Sequence, residues 1–128
     1  DDWGSEIAQH DGPAIVIIEG LTMYLSEKDV KQIFDVISKR FDHVTVLVET
    51  MNPAMVKHMK EKSIEGSQAK FTWGVKNGSE LAKLIPNFRL IEEHSLAEGM
   101  AEFVPIFKLL KKIKPVSNVS NRIVVLEK

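Results

Sequence analysis

Two short runs of apolar residues, each followed by a glutamate, stand out in the pattern of hydrophobic and polar positions. The first is Ala14–Ile18, in which four of the five residues are β-branched, and it is followed by Glu19. The second covers 44–48 and is followed by Glu49. Runs of this length predict strands buried on both faces, as in a parallel sheet that carries helices on either side.

A helix is predicted between these two strands. Ser26 and Asp29 have the spacing of a capping box, and apolar residues at 30, 33, 34 and 37 fall on one helical face. The helix should end near Arg40. A strand, a helix and a strand form a right-handed unit with a parallel strand pair, so Glu19 and Glu49 should lie at the same edge of the sheet. Open α/β sheets bind their ligands at that edge.

The rest of the sequence predicts further elements whose patterns are less regular. In order, these are a helix starting at 53, a polar loop over 61–70, a short helix before Pro86, a strand over 88–92, a helix over 102–113 and a closing strand over 122–128. The third strand should lie nearer the edge of the sheet than the first two. The chain is therefore predicted to be an α/β protein with about four strands and flanking helices.

Composition excludes several classes of partner. The chain has 17 basic and 18 acidic residues and a formal net charge of −1, which gives no electrostatic reason to bind nucleic acid or an anionic membrane. No apolar run approaches the roughly 20 residues needed to cross a bilayer, and no signal peptide is visible. The absence of cysteine excludes disulfides and thiolate chemistry, and it fits a cytoplasmic protein.

Common motifs for nucleotide, metal and hydrolase chemistry are missing from the sequence. There is no glycine-rich phosphate loop and no Gly-x-Ser-x-Gly elbow. The four histidines are far apart, and the only dense cluster of ligand-type residues is Glu92, Glu93 and His94. Neighbouring residues on a strand point to opposite faces, so this cluster is a poor chelate and no metal site is predicted.

The segment after the first strand carries a recognisable motif. It reads Glu-Gly-Leu-Thr-Met-Tyr-Leu from Glu19, and Ser-Glu-Lys-Asp-Val and the amphipathic helix follow it. This order resembles the S-adenosylmethionine-dependent methyltransferases of the leucine carboxyl methyltransferase group, which includes the tetracenomycin-type polyketide O-methyltransferases. The resemblance continues through Phe-Thr-Trp-Gly at 71–74 and Glu-Leu at 80–81. It covers nearly the whole chain but only the second half of the family's domain.

The resemblance implies a fold, a cofactor and a set of site residues. The chain would be a single fragment, 1–128, forming the C-terminal half of a Rossmann-like class I methyltransferase. Its sheet would have two parallel buried strands, then a strand pair that includes an antiparallel closing strand. S-adenosylmethionine would be the cofactor, and a small molecule or a carboxylate would accept the methyl group. The residues that match cofactor-binding positions are Glu19, Gly20 and Tyr24, and those on the acceptor side are Met23, Thr50, Met51 and Trp73.

The family's first three strands, its cofactor-binding glycine loop and its ribose-binding acid have no counterpart in this sequence. The resemblance therefore implies an enzyme as a full-length protein and an inactive fragment by itself. It also implies an exposed apolar edge at Ala14–Ile18, which would pair with another chain, for example in a homo-oligomer, unless the fragment is a proteolytic remnant.

Several alternatives remain open at the level of sequence. Glu19 could cap the following helix, and Tyr24 could be a core residue. The methionines at 51, 55 and 59 could be ordinary core or could form a lid over an apolar pocket. The whole chain could also be a non-catalytic α/β binding or dimerisation module that keeps the scaffold without the chemistry, in which case its gene would begin near Asp1.

Overall fold

The computed structural model describes residues 12–61, 71–95 and 121–128. These ranges contain four strands, three α-helices and a short 3₁₀ helix at Thr22–Tyr24. The strands are β1 (Ala14–Ile18), β2 (Val44–Thr50), β3 (Arg89–Ser95) and β4 (Arg122–Glu127). The α-helices are α1 (Glu27–Arg40), α2 (Pro53–Glu61) and α3 (Gly78–Leu84). The helix predicted over 102–113 lies outside the described residues.

The four strands form one mixed sheet in the order β1-β2-β4-β3. β1 and β2 are parallel, with Ala14 opposite Val44 and Ile18 opposite Val48. β4 lies between β2 and β3 and is antiparallel to both. The predicted fold class is confirmed: the chain is an α/β protein with a parallel strand pair and an antiparallel closing strand, compatible with part of a Rossmann-like fold.

Helix α1 forms because its capping residues favour a helix start and its apolar stripe packs against the sheet. The Ser26 hydroxyl accepts a hydrogen bond from the Asp29 N–H at 3.1 Å, and the Asp29 carboxylate accepts one from the Ser26 N–H at 3.3 Å. This capping box satisfies two amide groups that a helix start leaves without partners. The apolar stripe is then buried, as its spacing predicts, through Val30, Phe34 and Ile37.

The core lies between one face of the sheet and helices α1 and α3. Its members are almost completely buried and come mainly from β2, β4, α1 and α3. They include Val30, Phe34, Ile37, Val44, Val46, Val48, Leu81, Phe88, Val124 and Leu126. Phe34 and Phe88 meet edge to face, with ring centroids 5.2 Å apart. One contiguous apolar cluster of this kind is what holds a sheet and its helices together.

The prediction that the first strand is buried on both faces is wrong. Alternate residues of β1 are exposed, Ile15 to 72% and Ile17 to 65%. The register places them on the face opposite the core, beside Thr45 and Leu47 of β2. An apolar run cannot reveal this, because burial of the second face depends on what packs there and not on the strand itself. We call this surface the open face.

The third strand also departs from its prediction. It runs from Arg89 to Ser95, which is longer than the predicted 88–92, and it contains a bulge between Leu90 and Glu92. β3 lies at one edge of the sheet as expected, and β1 lies at the other edge, as the resemblance implied. The expectation that the third strand lies nearer the edge than the first is therefore wrong. Among the described helices, none is both long enough and apolar enough to span a membrane.

Candidate functional site

The chain turns sharply where β1 ends. Gly20 has a φ of 59°, a left-handed conformation that favours glycine because other residues meet a steric penalty there. Its N–H donates a hydrogen bond to Oε1 of Glu49 at 2.8 Å. The turn after β1 is therefore fastened to the end of β2, so the ends of the two parallel strands meet at one edge of the sheet.

Glu49 connects three parts of that edge. Its second carboxylate oxygen, Oε2, accepts a hydrogen bond from Nδ2 of Asn121 at 2.8 Å. Its main-chain oxygen accepts one from the Thr22 hydroxyl at 2.8 Å. Glu49 thus ties Gly20, the 3₁₀ helix and the start of β4 together. Asn121 was missed by sequence reasoning, because it lies 72 residues from Glu49 in a turn-rich stretch that carries no periodic signal.

Glu19 and Tyr24 both present surface to solvent near this edge. Glu19 is exposed and makes no hydrogen bond or ion pair within the described residues. Ser26, not Glu19, caps α1, so the capping alternative for Glu19 is wrong. Tyr24 is 41% exposed and stacks on Phe71, with ring centroids 5.0 Å apart and the planes inclined by 24°. The alternative that Tyr24 is a core residue is therefore also wrong.

Residues 71–75, which we call the strap, lie against the two methionines that follow β1 and β2. The Thr72 N–H donates to the Met23 main-chain oxygen at 2.7 Å, and the Val75 N–H donates to the Met51 main-chain oxygen at 2.9 Å. The Thr72 hydroxyl also donates to the Leu25 oxygen at 2.8 Å. The strap belongs to no strand or helix, so these bonds supply partners for its main-chain groups. They also hold it against the segments that follow β1 and β2.

The predicted acceptor-side residues come together beneath and beside the strap. Met23 and Met51 form a small buried cluster with Val56, and Met55 and Phe71 pack against it. Trp73 is half-buried, and its main-chain N–H donates to the Met23 main-chain oxygen at 3.4 Å. A cavity of about 320 Å³ lies between α2 and the strap, lined by Pro53, Val56, Lys57, Thr72, Trp73 and Gly74. The structure thus places Met23, Met51 and Trp73 in one neighbourhood.

Thr50 occupies a different position from the other predicted residues. It is 1% exposed, and its hydroxyl has no hydrogen-bond partner in the described structure. Its neighbour across the strands is Arg122, whose Nη1 lies 3.6 Å from Oε2 of Glu93. That same oxygen accepts a hydrogen bond from the Gly78 N–H at 2.8 Å. The buried Thr50 therefore lies beside a half-buried polar pair, Arg122 and Glu93, that the sequence did not predict.

No group of three or more metal-ligand side chains occurs within the described ranges. Glu92 and His94 do approach each other, with 3.3 Å between Oε2 and Nε2. They are both exposed, and the bulge in β3 disturbs the alternation on which the sequence argument relied. Glu93 is directed elsewhere, toward the start of α3.

The role of Glu49 can be tested by comparing two substitutions. We expect Glu49→Ala to lower the free energy of unfolding by about 1–2 kcal/mol, because it removes the acceptor of two hydrogen bonds. Glu49→Gln should recover at least half of that loss. The glutamine oxygen can still accept from Gly20, and a rotated Asn121 amide can accept from the glutamine NH₂. Urea denaturation of both variants measures the difference. A Glu49→Ala variant with an unchanged free energy of unfolding would show that these two hydrogen bonds do not stabilise the fold.

The chain is similar to a known methyltransferase. It is 26% identical over 111 residues to the tetracenomycin polyketide synthesis O-methyltransferase TcmP of Streptomyces glaucescens. The aligned region covers 84% of this chain and 41% of TcmP, so the chain spans less than half the length of this relative. No protein-family model matches the chain, and no solved structure matches it significantly. The similarity supports a distant relationship to O-methyltransferases and a methyltransferase-like function.

Proposed function

We propose that this chain forms part of an S-adenosylmethionine-dependent O-methyltransferase. The observation that carries the proposal is the turn after β1. There, an exposed carboxylate and a left-handed glycine lie at the edge where β1 and β2 both end. The similarity to TcmP supports the same assignment. The methyl acceptor is a small molecule or a carboxylate, and the whole protein would be needed for activity.

The residues at this edge fit the positively charged part of the cofactor. Glu19 is exposed and has no described partner, so its carboxylate is available to a cation. A side chain added at Gly20 would meet no atom within 4 Å, so the space in front of this turn is open. Tyr24 and Phe71 offer stacked aromatic faces, which attract cations. S-adenosylmethionine, when bound, supplies a methyl group on a cationic sulfur.

In this proposal, the strap and the methionine cluster form the acceptor side. Methyl transfer is a displacement in which the protein mainly aligns the two reactants and excludes water. Met23, Met51 and Val56 provide an apolar surface under the strap, and Trp73 lines the adjacent cavity. Such a surface favours an apolar acceptor. Thr50 remains a predicted acceptor-side residue, although its burial beside Arg122 indicates a structural role as well.

Calorimetry with S-adenosylmethionine tests the assignment. We expect the full gene product to bind the cofactor and the 128-residue chain to bind it weakly or not at all. In the full product, Glu19→Gln should weaken binding by tenfold or more, because it removes the negative charge that faces the sulfonium. Asp42→Asn is the matched control. This change neutralises another exposed acid, Asp42, which lies just before β2 and therefore at the opposite end of the strands from Glu19. Absence of binding by the full product would reject the proposal.

The alternative function is a non-catalytic α/β binding or dimerisation module. The observation that favours it is the position of β1 at the edge of the sheet with two exposed isoleucines. A gene that begins near Asp1, together with no cofactor binding, would support the module. A gene with a substantial upstream coding region and a product that binds S-adenosylmethionine would support the enzyme.

A further inference from the structure

The two acids that follow β1 and β2 differ in how their side chains are held. Each carboxylate oxygen of Glu49 accepts a hydrogen bond at 2.8 Å, Oε1 from the Gly20 N–H and Oε2 from the Asn121 amide. Glu49 is also partly buried, whereas Glu19 is exposed and makes no hydrogen bond or ion pair within the described residues. Glu49 is therefore engaged by the protein, and Glu19 is the acid at this edge that is open to a ligand.

The hydrogen bond from Gly20 to Glu49 acts on the main chain directly beside Glu19. The Gly20 N–H belongs to the peptide group that joins Glu19 to Gly20. Because a peptide group is planar, fixing its N–H restricts ψ of Glu19 and φ of Gly20 together. Glu49 thus fastens the main chain at the point from which the Glu19 side chain projects.

The conformation of this turn depends on that hydrogen bond. Glycine populates positive and negative φ about equally, so the residue type does not impose the φ of 59° at Gly20. Close packing does not impose it either, because a Cβ added at Gly20 would meet no atom within 4 Å. The Thr22 hydroxyl donates to the main-chain oxygen of Glu49, so it fastens the following 3₁₀ helix and not the Gly20 peptide. The Glu49 carboxylate is therefore the described contact that favours this conformation of Gly20.

We infer that Glu49 is a positioning residue for cofactor binding: through Gly20 it holds the Glu19 carboxylate where it faces the sulfonium of S-adenosylmethionine. This inference rests on the proposed function and gives the two acids at this edge different roles. Glu19 contributes the negative charge, and Glu49 contributes the conformation of the turn that presents it. The attraction between two charges falls as their separation grows, so the position of Glu19 determines how strongly it attracts the cofactor.

Substitution of Glu49 should therefore weaken cofactor binding without removing a contact to the cofactor. In Glu49→Ala the turn can adopt other conformations, and the apparent affinity falls with the fraction of molecules that keep the competent one. We expect the affinity for S-adenosylmethionine to fall about fivefold or more. Glu49→Gln should bind within about twofold of the unchanged protein, because its amide oxygen still accepts from the Gly20 N–H.

Calorimetry on the full gene product with two ligands separates positioning from a general loss of stability. S-adenosylmethionine carries a positive charge on its sulfur, and S-adenosylhomocysteine, which lacks the methyl group, carries none there. A loosened fold weakens both ligands alike, whereas displacement of Glu19 weakens the cationic ligand selectively. We expect Glu49→Ala to lower the ratio of the two affinities about fivefold, to the disadvantage of S-adenosylmethionine.

Asn77→Ala is the matched control for stability. Its side chain caps α3 by accepting a hydrogen bond from the Glu80 N–H at 2.9 Å, and loss of such a cap costs about as much stability as Glu49→Ala. The Gly20 turn keeps its bond to Glu49 in this variant. The ratio of the two affinities should therefore stay unchanged.

A double variant tests whether Glu49 acts through Glu19. If it does, Glu19→Gln combined with Glu49→Ala should lower the ratio no further than Glu19→Gln alone. Three results would each overturn the inference and leave the proposed function in place. They are equal losses in Glu49→Gln and Glu49→Ala, equal losses for the two ligands, and additive effects in the double variant. A full product that binds neither ligand would reject the proposed function and this inference together.

Discussion

Phe34→Ala is expected to lower the free energy of unfolding by about 3–5 kcal/mol, the range for deleting a large aromatic side chain from a core. Phe34 is 1% exposed and packs edge to face on Phe88 between α1 and the sheet. Truncation removes this contact and leaves a cavity that the rigid strands cannot fill. A loss of this size is a large part of the stability of a small domain. Urea denaturation at a fixed protein concentration measures it.

Gln32→Ala is the matched control for this prediction. Gln32 lies on the same helix but is exposed, and alanine is at least as good a helix former. Its free energy of unfolding should stay within about 0.5 kcal/mol of the unchanged chain, as for most surface substitutions. If the two variants lost equal stability, the packing of α1 on the sheet through Phe34 would be contradicted.

Gly74→Ala is expected to destabilise the chain by about 2–3 kcal/mol, near the upper end of the range for overpacking. A methyl group at this position would overlap the main-chain oxygen of Met51 and approach Cγ2 of Val56 to 2.9 Å. Met51 directly follows β2, whose pairing with its neighbours in the sheet restricts how far the main chain can move. The strap would have to shift instead, and the hydrogen bond from the Val75 N–H to Met51 would be lost.

Gly20→Ala separates the effect of crowding from the effect of conformation. No atom lies within 4 Å of an added methyl group at Gly20, but its φ of 59° costs a non-glycine residue about 1–2 kcal/mol. Thermal and urea unfolding of both variants should therefore place Gly74→Ala below Gly20→Ala in stability. The close approach of the strap to Met51 would be disproved if Gly74→Ala were the more stable of the two.

The elements that sequence predicted well are those in which local and long-range preferences agree. The capping box at Ser26 and Asp29 forms, and the stripe that includes Phe34 is buried, because the same residues satisfy the helix and fill the core. The parallel pairing of β1 with β2 follows from a helical connection between two apolar runs. That pairing is enough to place Glu19 and Glu49 at one edge of the sheet.

The contacts within the candidate site were not accessible from sequence in the same way. Both carboxylates followed an apolar run, yet Glu49 is engaged by Gly20 and Asn121 while Glu19 remains exposed. The difference arises from partners that lie 29 and 72 residues away in the chain. The strap is a similar case, because Thr72 donates hydrogen bonds to the main-chain oxygens of Met23 and Leu25. Every residue has a main-chain oxygen, so the sequence does not show which residues would accept these bonds.

The sequence by itself determined most of the helices and strands among the described residues, and that the chain is an α/β protein with an acid after each of its first two strands. Those features depend on neighbouring residues, so periodicity and caps record them. The tertiary structure alone decided which face of β1 is buried and which of the two acids is engaged. These depend on what packs beside a segment, and a strand of five apolar residues contains no record of its neighbours.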